Sequence, residues 1–314
     1  MKKENLLIAV TGASGFIGKH LIDLLQHSTH RVKLISRNLN YVLPDEISKE
    51  KFEIVQADLT DVESLRRAFF GVDIIINLAA EVRNYEKVFD TNVSGTKNLV
   101  QAVVENKVAK IIHLSSVGVI GLSFSANQRM VAENEICKPM NDYEKTKYES
   151  EKILKQAAAL NKFNLVVLRP TNVFGEQHPF NALLHLMKFI KSGKPVLTTK
   201  NAWVNYVYVG DLAYVINQFI NAEVKNEIYH VGESMLLGTL YDEMFRLLKK
   251  KPKKIYLPPL ICKVLRMAGI KKFNAISNGV RYNDDKLKTL FSYHYGLVNG
   301  LQKTFDFYSK NHLI

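Results

Sequence analysis

The sequence predicts an α/β fold, a doubly wound parallel sheet with a smaller C-terminal lobe, on three observations. Short β-branched runs alternate with longer stretches whose apolar residues recur at three-to-four spacing, the pattern of parallel βαβ units. The chain has 314 residues, enough for one large α/β domain or a domain with a lobe. Its composition, 47% apolar and 23% charged, is ordinary for a globular protein and excludes a largely disordered or collagen-like chain.

The elements follow in order. Lys2 and Lys3 precede Leu6–Val10, an apolar run too short for a secretory leader, so it reads as the first strand. Further strands are expected at Val32–Ile35, Glu53–Gln56, Ile74–Asn77, Ile111–Leu114 and Leu165–Leu168. Between them the spacing predicts helices at Gly18–Leu25, Val62–Phe69, Thr91–Glu105 and Tyr143–Leu160. After Pro170 the rhythm becomes irregular, with a strand near Asn205–Val209, a helix near Leu212–Ala222 and a strand at Glu227–Val231. Residues 1–175 and 203–229 are expected to form the sheet domain, and 176–202 with 230–314 the lobe.

Charge and cysteine usage bound the partners. There are 43 basic and 30 acidic residues, a net charge of +13, which raises nucleic acid, an anionic cofactor or an anionic membrane. The charge is concentrated. From Met244 to Asn283 there is no Asp or Glu, while Arg246, Lys249, Lys250, Lys251, Lys253, Lys254, Lys263, Arg266, Lys271, Lys272 and Arg281 contribute eleven positive charges, leaving +2 for the rest of the chain. Apolar residues are interleaved with these cations, which favours weak peripheral contact of 246–281 with an anionic membrane over a duplex; a solvated basic face is the other reading. No RRM, KH or zinc-finger signature is present, so no nucleic-acid partner is expected. Cys137 and Cys262 stand far apart, and His178 and His185 have no neighbouring ligand cluster, so neither a disulfide scaffold nor a metal site is expected. Together with the lack of an apolar run of about 18 residues, this points to the reducing cytoplasm.

The first strand runs into Thr11-Gly12-Ala13-Ser14-Gly15-Phe16-Ile17-Gly18 and then a helix. Glycines so placed allow a tight turn, a close backbone approach to a pyrophosphate and close helix packing, with the helix N-terminus offering N–H donors. An ordinary glycine turn is the alternative. At the end of the second strand, where an acid would bind a ribose hydroxyl and repel a 2′-phosphate, the chain reads Ser36-Arg37-Asn38. A guanidinium there suits the 2′-phosphate of NADP, unless Arg37 is simply a solvated arginine.

These residues, with Ala57-Asp58-Leu59-Thr60-Asp61, Asn77-Leu78-Ala79-Ala80, Thr91 to Leu99 and Leu168 to Gly175, resemble the extended short-chain dehydrogenase/reductases, the NAD-dependent epimerase/dehydratase family. The resemblance covers nearly the whole chain and implies a Rossmann-type sheet with a substrate-binding lobe. It places Gly12, Ser14, Gly15, Phe16, Ile17 and Gly18 at the dinucleotide phosphates, and Asp58 and Leu59 at the adenine. Ala79 and Ala80 are implied at the cofactor's middle, and Pro170 at the nicotinamide. Without the family, Asp58 reads equally as a helix cap and Asn92 as a helix-end polar residue.

Tyr143 and Lys147 are four residues apart in an expected helix, so both leave one face. A phenol near its ordinary pKa of about 10 is a poor base, and a neighbouring ammonium lowers it. Ser116 matches the family's catalytic serine by its offset from Gly121, with Ser115 the near miss. The resemblance thus implies Ser116, Tyr143 and Lys147 as catalytic residues, with Tyr143 and Lys147 also holding the cofactor. Val117 and Gly118 stand where dehydratases of the family carry an Asp-Glu pair. The reading is an NAD(P)-dependent oxidoreductase on a sugar-type small molecule, first a nucleotide-sugar 4-ketoreductase using NADP. A 4-epimerase of a nucleotide-linked or lipid-linked sugar, retaining NAD, is the alternative, and a non-catalytic NADP-binding regulator the third. Val204 occupies the place of the family's diphosphate-binding arginine, so either Lys200, Arg281 or Lys286 substitutes or the substrate is not a nucleotide sugar. A homodimer through the helices at 91–105 and 143–160 is likewise implied by resemblance.

Overall fold

Seven strands of mostly branched apolar residues build the central sheet. In chain order they are β1 (Leu7–Thr11), β2 (Arg31–Ser36), β3 (Phe52–Gln56), β4 (Ile74–Asn77), β5 (Lys110–Leu114), β6 (Asn164–Pro170) and β7 (Glu227–Val231). The computed structural model describes residues 5–38, 50–82, 84–121, 128–161, 163–178, 182–267 and 272–314. Across the sheet the order is β7-β6-β5-β4-β1-β2-β3, with β1 parallel to β2 and β4, and the β2–β3, β4–β5 and β5–β6 pairs also parallel. Every residue of β4 and β5 is buried, because helices cover both faces of such a sheet and its strands need no polar side. The order reverses between β1 and β4, and ligands of open α/β sheets bind at the strand ends beside such a reversal.

The longer helices around this sheet are α1 (Phe16–Leu25), α2 (Val62–Ala68), α3 (Gly95–Glu105), α4 (Asp142–Asn161) and α5 (Val209–Asn221), with a short one at Tyr85–Phe89. Asp61 caps α2 by accepting from the backbone N–H of Glu63 and Ser64. Asp58 is therefore not the cap; its carboxylate accepts from the backbone and hydroxyl of Thr60, both at 2.9 Å. The helix expected over Thr91–Glu105 is divided: a π-turn at Asp90–Ser94 precedes α3. The wider turn has a visible cause. Asn92 is buried and bonds the backbone of Glu81 in both directions and the hydroxyl of Thr146, so it is an internal tie rather than a helix-end polar residue. Gly95 follows because a Cβ there would lie 2.8 Å from that of Leu59.

The chain divides into two compact units. The first takes Met1–Gly121, Cys137–Pro170 and Leu212–Tyr229; the second takes Leu122–Ile136, Thr171–Asp211 and His230–Ile314. The strand expected near Asn205–Val209 runs from Trp203 to Tyr208 and pairs with Asn172–Phe174 and Glu233–Leu236 in a three-stranded sheet of the second unit. Asp211, just after it, accepts from the backbone N–H of Tyr295 and Gly296 at the start of the last helix, Gly296–Lys310. Two short parallel pairs complete this unit, Val196–Thr198 with Lys254–Tyr256 and Arg129–Val131 with Val280–Tyr282.

One buried lysine fastens α5. The ammonium of Lys110 on β5 donates to the carbonyls of Phe219, Ile220 and Ala222 at the C-terminal end of that helix, groups that a helix leaves without internal partners. Burial pushes its pKa down to about 8, which still leaves it mostly charged at neutral pH. Lys110→Met retains the packing stem and strands these carbonyls, so unfolding by urea should show a loss of about 1–3 kcal/mol. An unchanged denaturation midpoint would show that the carbonyls find other donors.

Candidate active site

The turn between β1 and α1 is built by glycine for steric reasons. Gly12 has φ +71°, and a Cβ on it would lie 2.7 Å from the backbone nitrogen of Ala79 in the turn after β4. A Cβ on Gly18 would lie 2.5 Å from the Gly12 carbonyl oxygen, so the first turn of α1 rests directly on the loop. Gly15 caps α1 without a side-chain acceptor, and no acid stands in the first turn, leaving the positive end of the helix uncompensated.

Beside this turn lies a cleft of ≈ 370 Å³. Its walls include Gly12, Ser14 and Gly15, then Ser36, Arg37 and Asn38, then Asp58 and Leu59, and Ala79 and Ala80. Phe16, Ile17 and Gly18 are not among these walls; Phe16 packs edge-on against His20 at 5.6 Å. Arg37 is exposed, and its guanidinium has no hydrogen-bond or ion-pair partner among the described residues. The Ser36 hydroxyl is turned to the carbonyl and N–H of Asn38. An uncapped helix end, a glycine floor that a Cβ would fill and a cation at the far rim fit a dinucleotide phosphate chain and ribose. Thr11 steadies the floor: its hydroxyl donates to Asn77 at 2.6 Å and accepts from the Ala79 N–H.

The second group of candidates gathers at the end of β5 and on α4. Ser116 caps the short 3₁₀ turn Val117–Ile120, its hydroxyl accepting from Gly118 N–H at 3.0 Å. Tyr143 and Lys147 share one face of α4, Tyr143 partly exposed and Lys147 buried. The Lys147 ammonium donates to the carbonyl of Leu114, the last residue of β5, which ties the helix to the strand that leads into Ser116. Burial lowers Lys147 to about 8, with Glu151 opposing the shift. Burial also pushes the Tyr143 phenol up to about 12, and the neighbouring Glu144 charge adds to it. The phenol thus moves in the opposite direction to the lowering expected from Lys147. Pro170 ends β6 and is buried; neither it nor Ser116, Tyr143 and Lys147 belongs to the walls of the cleft.

A profile of the NAD dependent epimerase/dehydratase family matches residues 8–232, spanning the cleft, Ser116, Tyr143 and Lys147. The chain belongs to that family. It is an enzyme of short-chain dehydrogenase/reductase type, an oxidoreductase or epimerase. A relative from Escherichia coli O157:H7, N-acetyl-alpha-D-glucosaminyl-diphospho-ditrans,octacis-undecaprenol 4-epimerase, is 31% identical over 272 residues, covering 81% of this chain and 76% of the relative. Among solved structures, the Thermotoga maritima UDP-glucose 4-epimerase with UDP-glucose has the same fold, with TM-score 0.75 at 22% identity, covering 98% of this chain and 100% of that one. The Bordetella bronchiseptica enzyme WbmG in complex with NAD superposes with TM-score 0.76 at 16% identity, covering 99% and 96%.

The structure adds groups to this family member's site that the sequence reading passed over. Glu151 is wholly buried one helical turn beyond Lys147. Its carboxylate takes both forks of the buried Arg169 guanidinium, at 2.9 and 2.7 Å, and the Ser115 hydroxyl at 2.6 Å. Ser115 is thereby committed to the core, and Ser116 is the serine left on the rim. The signal lay in the four-residue steps Tyr143, Lys147 and Glu151 along one helix, with an arginine inside the Leu168–Gly175 motif. Arg169→Leu leaves the buried carboxylate, among the described residues, with only Ser115 and a long contact to Lys155 at 3.8 Å, and should lower stability by about 3–5 kcal/mol in denaturant titrations. Arg169→Leu with Glu151→Leu should regain most of that loss; equal losses in single and double variants would refute the pairing.

Proposed function

We propose that the protein is a 4-epimerase of a sugar carried on a diphosphate, working with a retained nicotinamide dinucleotide. The observation that carries this is the placing of Tyr143 and Lys147 on one face of α4, tied by the Leu114 carbonyl to the strand end that presents Ser116. The Escherichia coli relative, a 4-epimerase of a diphosphate-linked sugar, supports the substrate class.

In this reading the turn Gly12–Gly15 and the N-terminus of α1 hold the pyrophosphate, Asp58 and Leu59 border the adenine, and Pro170 borders the nicotinamide ring. A bound nicotinamide supplies hydride acceptance and return at a carbinol carbon. Ser116 orients the substrate oxygen, and Tyr143 removes its proton as the alcohol becomes a ketone and gives it back in the reverse step. A phenol near 12 is well suited to giving the proton; to take it at neutral pH it needs added positive charge, of which Lys147 is the chain's share. Lys147 also holds the nicotinamide ribose.

The sugar's diphosphate falls to Arg281 in the second unit. Its guanidinium lies 4.6 Å from the centre of the Trp203 ring, and its buried Nε has no hydrogen-bond partner among the described residues. Trp203 is held by Gln128 through its indole N–H at 2.9 Å and so serves as a fixed platform for Arg281. We also infer a homodimer through α3 and α4, supported by the exposed Tyr85 and Phe89 beside a hollow of ≈ 580 Å³ that both helices line. Exposed aromatics at such a hollow are usual where a second chain packs.

A second reading, an NADP-dependent 4-ketoreductase, is favoured by Arg37, whose charge at the end of β2 fits a 2′-phosphate and whose place holds no acid. The two separate when the purified protein is incubated with 4-hydroxy and 4-keto sugars on nucleoside and polyprenyl diphosphates and the products are identified by mass spectrometry and NMR. Isomer exchange without net cofactor oxidation is expected; stoichiometric NADPH consumption would select the reductase. Tyr143→Phe should keep dinucleotide binding and lose turnover by at least about 100-fold, and normal turnover would remove Tyr143 from its role. Arg37→Asp should weaken NADPH binding by about tenfold or more and leave NADH binding intact. Unchanged affinity for both would show Arg37 to be only a solvated side chain.

A further inference from the structure

In the second unit, the segment following the basic run folds into a helix at Pro259–Met267 whose apolar side faces water. Leu260, Ile261 and Val264 are 71%, 44% and 57% exposed, and they fall within about 100° of the helix circumference. Cys262, on the opposite side, is 1% exposed, so the helix has an inner face and this is not it. Two residues upstream the strand Lys254–Tyr256 ends, with Ile255 and Tyr256 also exposed. Five large apolar side chains therefore stand in water within ten residues of chain.

The charge around them is of one sign. Between Met244 and Asn283 there are eleven Lys and Arg and no Asp or Glu. Lys249, Lys250, Lys251 and Lys253 are exposed, and no acid pairs with them among the described residues. Among the described residues, Arg246 pairs with Glu243 and Lys254 with Asp242. A protein partner with an apolar groove would account for the helix face but not for four exposed lysines without an acid partner a few residues upstream, of which Lys253 donates only to the Gly193 carbonyl; a polyanion would account for the lysines but not for the leucine, isoleucine and valine. An anionic lipid surface answers both, since short apolar side chains enter the acyl boundary while lysines remain among the headgroups and a tyrosine sits at the interface.

We propose that this face, the helix Pro259–Met267 with the lysines of 249–253, is a docking surface for an anionic membrane. No described helix is long and apolar enough to cross a bilayer, so the attachment is to one leaflet. The inference does not depend on the reaction catalysed, because it rests on a different part of the chain and is read without activity.

The test is co-sedimentation of the full chain with vesicles of phosphatidylcholine alone and of phosphatidylcholine mixed equally with phosphatidylglycerol, at low and high salt. Binding to the mixed vesicles at low salt, none to the neutral ones, and release by high salt are expected. Leu260→Asp with Val264→Asp removes the apolar face, and Lys249→Ser with Lys250→Ser and Lys251→Ser removes charge; each should weaken partition by about tenfold or more. All these positions are exposed, so unchanged thermal melting serves as the folding control. Absence of wild-type binding at low salt overturns the proposal. Loss with the lysine variant but full binding by the aspartate variant also overturns it, and leaves a polyanion such as nucleic acid as the partner.

Discussion

The buried carboxylate of Glu151 is the constraint on which the reactive part of this protein turns. An ionised carboxylate away from water is tolerated only when its lone pairs are taken, and here Arg169 takes two and Ser115 a third. Those partners stand at the ends of β6 and β5, while Glu151 itself belongs to α4. One charge thus locks two strand ends and a helix into a single register. Lys147 is one turn back on the same helix and spends a proton on the Leu114 carbonyl, so its ammonium has no freedom to wander from the strand end. The spacing between the serine loop and the tyrosine is a by-product of keeping a carboxylate satisfied.

The dinucleotide side works by the opposite means. There the decisive atoms are backbone, and the side chains matter chiefly by being missing: Gly12 lets the turn after β1 approach the turn after β4, and Gly18 lets α1 rest upon its own loop. Here the polar ties are neutral: Thr11 bonds Asn77 and the Ala79 N–H, and Asn77 in turn bonds the ring of the buried His113. A cleft floor made of backbone and a helix face fixed by charge are separable devices, joined because β1, β4 and β5 are neighbours in one sheet.

How much of this could be read beforehand follows from the range of each interaction. Strands buried on both faces are written as local apolar runs, which is why Ile74–Asn77 is legible to the residue. The glycine turn is local too. Pairing is not: the run at Trp203–Tyr208 has the character of a strand, yet only contacts with segments some thirty residues away in either direction assign it to a separate small sheet. The π-turn at Asp90–Ser94 was illegible for a similar reason, since Asn92 leaves the regular helix to satisfy Glu81 and Thr146. Glu151 and Ser115 are ordinary surface letters until their partners are known. The phenol of Tyr143 shows the limit of motif reading in energy rather than geometry, because burial and the neighbouring Glu144 raise it where the spacing with Lys147 suggests a lowering.

The noncontiguous make-up of the sheet unit has a bearing on how the chain matures. Six strands are complete once Pro170 has been synthesised, but β7 arrives only after the segment 171–226. Until then β6 presents a bare edge of backbone donors and acceptors, the kind of edge that templates pairing with another chain. Lys110 waits as well, its ammonium enclosed only when the carbonyls of 219–222 reach it. A nascent chain emerging N-terminus first therefore passes through a stage at which its largest sheet is open on one side, and the last-made strand acts as its seal against self-association.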